Sequence, residues 1–380
     1  MFAEHSSEIG TPALDDELLR RIAEGLQLTG VQYERAVRAY SEVAEYFADH
    51  ESPFAAYEPD IHPQGSMAAG TTVRPPRGNE FDLDLVMQLA LLHYSVRPME
   101  LLDSTFQYLR KHPKFGPISE RKARCIRLAY AGDFHLDVVP ACVDRLRPPT
   151  GIQVPDRTVL GWKASNPKGL LEWFKRVMVP RPRLDGVTMK QGTVAPAPAQ
   201  VSAAGNTPLQ LTIQFLKRHR DIYFEDKPDL ATPSIIVTVL AGEYYDGNDS
   251  VAETLFRITS AVALFARTNS SAPILRNPAD AAEIVSEKWH AVPDSWSHFR
   301  SWAQDALGIL ANVGRVGQLR VLESFVGKSA LSDGLKRQAA AFASATATGN
   351  LAVSAQGLLV PVSQAKSSAT IVRPHHFYGK

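Results

Sequence analysis

The chain is short of several things. Its 380 residues include only two cysteines, Cys125 and Cys142, which excludes a disulfide scaffold and any cysteine-rich zinc module. No apolar run approaches the roughly 18 residues of a membrane span; the longest, at 235–241, has the length of a core segment. The first sixteen residues carry Glu4, Glu8, Asp15 and Asp16 and no apolar stretch. That is unlike a secretory signal, so a soluble, cytoplasmic protein is expected. An excess of one charge is missing too: 41 Lys and Arg stand against 40 Asp and Glu, a formal net charge of +1. Near-neutrality argues against coating long polyanions, which needs a broad basic excess, but leaves room for a short nucleotide. Between Arg110 and Lys190, 17 Lys and Arg face 7 Asp and Glu, so a basic segment is set against an acidic remainder.

What is present is ordinary globular material. With 44% hydrophobic residues, a chain of this length buries a full core, and two domains are expected rather than one. Residues 13–50 read as helix, because Leu18, Ile22, Leu26, Tyr33, Val37, Tyr40, Val43 and Phe47 recur at three- and four-residue steps. Gly30 interrupts the run and Ser52-Pro53 stops it. A Gly-containing segment (64–72), a loop (74–79), a strand (81–89) and a helix (98–111) follow. Two strand-like runs, 121–130 and 133–139, flank Ala131-Gly132 as a hairpin. Residues 193–208, rich in Pro, Ala, Ser and Gly, read as a flexible loop. Beyond it the pattern is helical at 209–224, 234–245, 251–267, 297–308 and 316–325; 339–349 is weakly specified and 351–380 reads as a poorly ordered tail. The fold class is therefore α+β, a mixed lobe over 1–192 with N-terminal helices and a helical lobe over 209–350.

Three features bear on chemistry. Gly65-Ser66 combines free backbone N–H groups with a hydroxyl, which suits a phosphate, although such a pair alone is most often a plain turn. In Phe81-Asp82-Leu83-Asp84-Leu85, the strand period turns both aspartates to one face and the apolar residues to the other. Paired carboxylates repel unless a cation neutralises them; an exposed strand face is the plain alternative. In Phe134-His135-Leu136-Asp137-Val138, a further strand aspartate lies between apolar neighbours. On an adjacent strand it completes a cluster of hard oxygen ligands, suited to Mg²⁺ or Mn²⁺ rather than zinc.

A Gly-Ser turn, an Asp-x-Asp strand and a lone strand Asp about fifty residues later resemble the polymerase-beta-like nucleotidyltransferase superfamily. The stretches QGSMAAGT, EFDLDLV, FHLDVVPA, TPLQLTIQFLKRHRDIYF and PSIIVTVLA are similar to the bacterial CD-NTases, relatives of cyclic GMP–AMP synthase that make cyclic oligonucleotide signals in CBASS anti-phage defence. The resemblance implies a nucleotidyltransferase core with a helical C-terminal lobe and an active site in the cleft between them. It implies ATP, GTP or other nucleoside triphosphates as substrates and two Mg²⁺ ions, or Mn²⁺, as cofactors. Asp82, Asp84 and Asp137 would be the catalytic metal ligands. Gln64, Gly65 and Ser66 would contact the donor nucleotide, Lys217 would reach its triphosphate, and Ser234 would be the partner of that lysine. Without the resemblance, Lys217 is one of several basic residues on its helix, and Ser234 is a helix cap.

Other residues read more plainly. His135 is a surface or packing histidine, His219 a satisfied core histidine, the five tryptophans core residues, and both cysteines buried thiols. Arg74 and Arg77 contact nucleotide or are solvated. The ending His375-His376-Phe377-Tyr378-Gly379-Lys380 is a frayed tail, or resembles those CD-NTase tails that a ubiquitin-transfer-like E1/E2 partner attaches to other proteins, with Gly379 as the conjugation point and Lys380 a departure from the pattern. No membrane, zinc or nucleic-acid activator is implied. The expected activity is synthesis of a cyclic di- or trinucleotide. The alternatives are nucleotidyl transfer to an RNA or protein and a vestigial nucleotide-binding scaffold.

Overall fold

The computed structural model describes residues 14–76, 80–179, 194–200, 205–353, 359–362 and 370–371. The N-terminal helical pattern folds as α1 (Asp16–Leu26) and α2 (Gly30–Ala48). Capping makes the break: the Thr29 hydroxyl accepts from the Gln32 N–H, and the Gln32 side chain accepts from the Thr29 N–H. This reciprocal pair starts a new helix where glycine alone would only weaken one. Next come β1 (Asp60–Gln64), a short helix α3 (Gly65–Ala69), β2 (Phe81–Leu92), α4 (Pro98–Lys111), β3 (Ser119–Arg121), β4 (Ile126–Tyr130) and β5 (Phe134–Val143). Strands β6 (Ile152–Asp156) and β7 (Gly161–Ser165) end the mixed lobe, and α5 (Pro167–Met178) leads away from it.

The helical part contains α6 (Pro208–Tyr223), α7 (Ser234–Tyr244), α8 (Val251–Thr268), a small hairpin of β8 (Arg276–Asn277) and β9 (Asp280–Ile284), and α9 (Glu287–Ala291). It continues through α10 (Ser295–Ala311), α11 (Val313–Val316), α12 (Gln318–Val326) and α13 (Lys328–Ala347). The stretch expected to be weakly specified thus lies mostly within a 20-residue helix. Its first half is anchored by buried Ala330, Leu331 and Gly334, and the alanines that follow favour helix. Part of the expected loose tail is also ordered, as β10 (Leu351–Val353) pairs with β11 (Leu359–Pro361) and β12 (Thr370–Ile371). Gly379, Lys380 and Arg77 lie outside the described residues.

The main sheet runs β1-β2-β5-β4-β3, with β6 joined to β5 and β7 to β6. Within it, among the described residues, only β2 and β5 pair in parallel. Phe81, Leu83, Leu85, Met87 and Leu89 alternate into a core shared with α2 and α4, including Phe47, Leu102 and Leu109. A second core joins the helices around Leu216, Leu255, Phe299 and Trp302. Leu18, Ile22 and Leu26 of α1 and Phe174 of α5 belong to this second core. The apolar stripe of α1 faces α13 and α6, so this helix packs with the helical core although it precedes the mixed lobe in the chain. The 193–208 stretch is held where it is described. The Ala195 N–H donates to Ile61 O at 2.8 Å, and the Tyr40 hydroxyl donates to Ala195 O at 2.7 Å.

The α1–α13 crossing depends on Gly334. A Cβ there would stand 2.4 Å from Ile22 Cγ1 and 3.0 Å from the Ile22 Cα, and a backbone atom cannot turn aside. Gly308 is exposed within α10, and a Cβ added to it would meet no atom within 4 Å. Urea unfolding is expected to show Gly334→Ala destabilised by about 1–3 kcal/mol. Gly308→Ala is expected to be stabilised by about 0.5–1 kcal/mol.

Candidate active site

The parallel register sets Asp82 opposite His135 and Asp84 opposite Asp137. Side chains in register on neighbouring strands share a face. All three carboxylates therefore stand on the face turned away from the mixed-lobe core. Antiparallel pairing adds two neighbours to this group, Gln64 of β1 opposite Asp84 and Arg127 of β4 opposite Asp137. His135 is on this face as well, with its side chain 23% exposed. Its Nε2 lies 2.6 Å from Glu80 and its Nδ1 lies 3.4 Å from Asp82.

Arg127 is the residue that the acidic motifs alone do not reveal. Its Nε and Nη2 donate to the two oxygens of Asp137, each at 2.8 Å, and Nη2 also reaches Asp82 Oδ1 at 3.2 Å. A signal for it exists in the sequence. Counting back from the Ala131-Gly132 turn pairs Arg127 with Asp137, and the buried Ile126 and Leu128 on either side turn it to the same face.

Asp84 has no such partner. It is half-buried at the base of the group, and burial, then the charges of Asp137 and Asp82, push its carboxyl up to about 7. Its close neighbour is Gly65, which opens α3 at φ +64°. A Cβ at Gly65 would lie 2.7 Å from Asp84 Oδ2, so the residue must be glycine both for its left-handed backbone and for this approach. Gln64 is the N-cap of α3 and supplies no side-chain cap bond. Ser66 follows, its hydroxyl 3.4 Å from the Thr72 hydroxyl.

Helix α6 supports this turn from behind. Gln210 donates to Ala69 O at 3.0 Å, Gln214 to Thr72 O at 3.2 Å, and Lys217 Nζ to Thr71 O at 3.1 Å. Steps of four and three put these side chains on one helical face. Lys217 is buried, and its ammonium is pushed down to about 7, chiefly by that burial and then by Arg220. Ser234 opens α7, but the N-cap position belongs to Pro233. The expected cap is thus replaced by another role, since the Ser234 hydroxyl accepts from Arg220. Arg74 is tied to the protein itself: its side chain donates to Gly25 O at 2.9 Å and fastens the loop to α1. His219 is buried against Phe325, with Nε2 3.2 Å from Asp305 and Nδ1 unpartnered.

Gln64, Gly65, Ser66, Asp82, Asp84, Asp137, Lys217 and Ser234 all line one cavity of about 470 Å³ between the lobes. At its far side Glu287 of α9 bridges Arg124 and Lys163 of the mixed lobe, each at 2.5 Å. Nearby, Glu283 accepts from the Asn166 N–H at 2.8 Å and from Asn277 at 2.6 Å. The cavity is thus acidic at the sheet and basic at Lys217. Three clustered carboxylates, one of them without a cationic partner in contact, match the donor chemistry of a hard divalent cation. Among the described residues no three His, Cys, Asp or Glu side chains converge as a finished coordination shell; the guanidinium of Arg127 stands among the carboxylates instead.

A nucleotidyltransferase is the class that this sheet and carboxylate group define. Residues 15–177 match the family model described as the Second Messenger Oligonucleotide or Dinucleotide Synthetase domain. The chain is 32% identical over 293 residues to a c-di-GMP synthase of Roseivirga ehrenbergii, covering 76% of each. It is 26% identical over 297 residues to the cyclic dinucleotide synthase CdnG of Bradyrhizobium diazoefficiens, covering 72% of this chain and 70% of that one. The fold is similar to a solved structure of the Bradyrhizobium CD-NTase CdnG in complex with GTP, with a TM-score of 0.67 at 22% identity over 85% of this chain and 99% of that chain. The chain belongs to the CD-NTases, nucleotidyltransferases that synthesise cyclic oligonucleotides. Enzymes of this family use divalent metal ions. No helix among the described residues is long and apolar enough to cross a membrane.

Two expectations follow from the geometry. Gly65→Ala should lower kcat by roughly 10²-fold or more through displacement of Asp84, with circular dichroism unchanged; an active Gly65→Ala enzyme would contradict the close approach. The second concerns pH in metal-free buffer. A carboxyl whose folded pKa is raised stabilises the fold only while protonated, so its contribution is lost as pH rises from about 4 to about 7. Asp84→Asn should therefore be more stable than wild type at pH 8, by about 1–3 kcal/mol, and indistinguishable from it at pH 4. Chelator-containing urea titrations at the two pH values measure this.

Proposed function

We propose that this protein condenses nucleoside triphosphates, GTP among them, into a cyclic dinucleotide with release of pyrophosphate. The observation that carries the reading is the parallel β2–β5 register, which gathers Asp82, Asp84 and Asp137 on the wall of a cavity also lined by Ser66, Lys217 and Ser234. The named activity of the 32% identical relative supports guanine as one of the bases. Asp82, Asp84 and Asp137 would hold Mg²⁺ or Mn²⁺, which when bound neutralises phosphate charge and makes the acceptor hydroxyl nucleophilic.

This chain's own groups bind and orient. Ser66 and the turn at Gly65 take the donor phosphates, and Lys217, whose ammonium burial holds down to about 7 in the free protein, is favoured in its charged form once the polyanion lies beside it. Ser234, whose hydroxyl accepts from Arg220 while Lys217 donates to Thr71, lines the same cavity. The acceptor hydroxyl forms a bond to the α-phosphorus, the bond to pyrophosphate breaks, and the hydroxyl proton passes to solvent. A second transfer within the same cleft closes the ring, for which the cavity between the two lobes leaves room.

Incubation of the purified protein with all four radiolabelled nucleoside triphosphates and Mg²⁺ or Mn²⁺ tests this. A phosphatase-resistant product with the mass of a guanine-containing cyclic dinucleotide is expected, and it should disappear in Asp82→Ala/Asp84→Ala. Label transferred to RNA or protein, or a product without guanine, would overturn the reading.

A further inference from the structure

We propose that Arg127 occupies the carboxylate cluster as a built-in counter-ion, so that a divalent cation enters only by displacing its guanidinium. The inference rests on the reading of Asp82, Asp84 and Asp137 as metal ligands and goes beyond it by assigning a part to a fourth side chain.

Both oxygens of Asp137 are engaged by Arg127, which also touches Asp82. A guanidinium meets a carboxylate through two parallel hydrogen bonds and satisfies the same lone pairs that a cation needs. Arg127 is thus a competitor by position. It cannot simply coexist with a divalent ion in contact with those oxygens, because like charges so close repel strongly when partly shielded from water. Its side chain is 24% exposed and that of Asp82 is 59% exposed, so the guanidinium has an open side toward which to move.

Arg127 is not needed to place Asp137. Strand β5 is paired on both sides at that residue, with Asp84 of β2 and with Arg127's own backbone in β4, and its neighbours Leu136 and Val138 are fully buried. A supporting role and a competing role therefore predict opposite signs. Loss of a support weakens metal binding; loss of a competitor tightens it.

Mn²⁺ alone, without nucleotide, is the probe, with affinity read by the electron paramagnetic resonance signal of the free ion. Arg127→Gln in the full chain is expected to bind Mn²⁺ about tenfold or more tightly than wild type. Arg127→Lys keeps the charge but loses the double contact, so its affinity should fall between the two. Unchanged or weaker Mn²⁺ binding in the folded variants overturns the proposal. Should Arg127→Gln fail to fold by circular dichroism, Arg127→Lys decides alone, tighter binding supporting the proposal and equal or weaker binding rejecting it. A wild-type protein that makes no cyclic product would sink the proposed function without touching this result, because no nucleotide enters the measurement.

Discussion

The site depends on one pairing, the parallel ladder between β2 and β5. Because the two strands run in the same direction and in register, Asp84 and Asp137 are brought side by side without either strand bending. A one-residue slip of either strand would turn its aspartates into the apolar layer. The buried alternation of Phe81, Leu83 and Leu85 beside Phe134, Leu136 and Val138 forbids that slip, so the hydrophobic core on one face fixes the chemistry on the other. The electrostatic cost is carried where it is useful. Arg127 is shared between two of the carboxylates, and the third, Asp84, has its carboxyl pushed up to about 7.

Across the cavity the helical lobe supplies the opposite sign. Helix α6 uses Gln210, Gln214 and Lys217 to hold the carbonyls of the 69–72 turn, so the same row of side chains supports the turn after α3 and delivers a buried ammonium to the cavity. Glu287 performs the reciprocal service, its carboxylate tying α9 to Arg124 of the β3–β4 turn and to Lys163 of β7. Lys217 therefore takes part both in the attachment of the 69–72 turn to α6 and in the proposed phosphate site.

Much of this is legible in the chain. The alternation around Asp82 and Asp84 and the turn at Ala131-Gly132 specify strands, faces and a hairpin, because short-range periodicity is enough for them. Motif resemblance then picks out Ser66, Lys217 and Ser234, which share the cavity. Arg127 escapes a reading built on acidic motifs, because its part is set by the partner strand, although the hairpin arithmetic places it opposite Asp137. The role of Ser234 is hidden for a different reason: its hydroxyl is claimed by Arg220 from another helix, a contact no local pattern encodes. The placement of α1 in the helical core is likewise beyond reach, since its apolar stripe is compatible with either partner.

That placement of α1 has a mechanical side. The backbone passes from one core to the other between α1 and α2, between β7 and α5, between α5 and the segment at 194–200, and between that segment and α6. A cleft hung on a single linker can splay and twist in any direction. One stitched by several passages of backbone is tethered at more than one point. For the same reason, severing the chain near residue 200 would not yield two self-sufficient halves: the first piece would carry away α1, and the second would be left with the groove on α13 that α1 had filled.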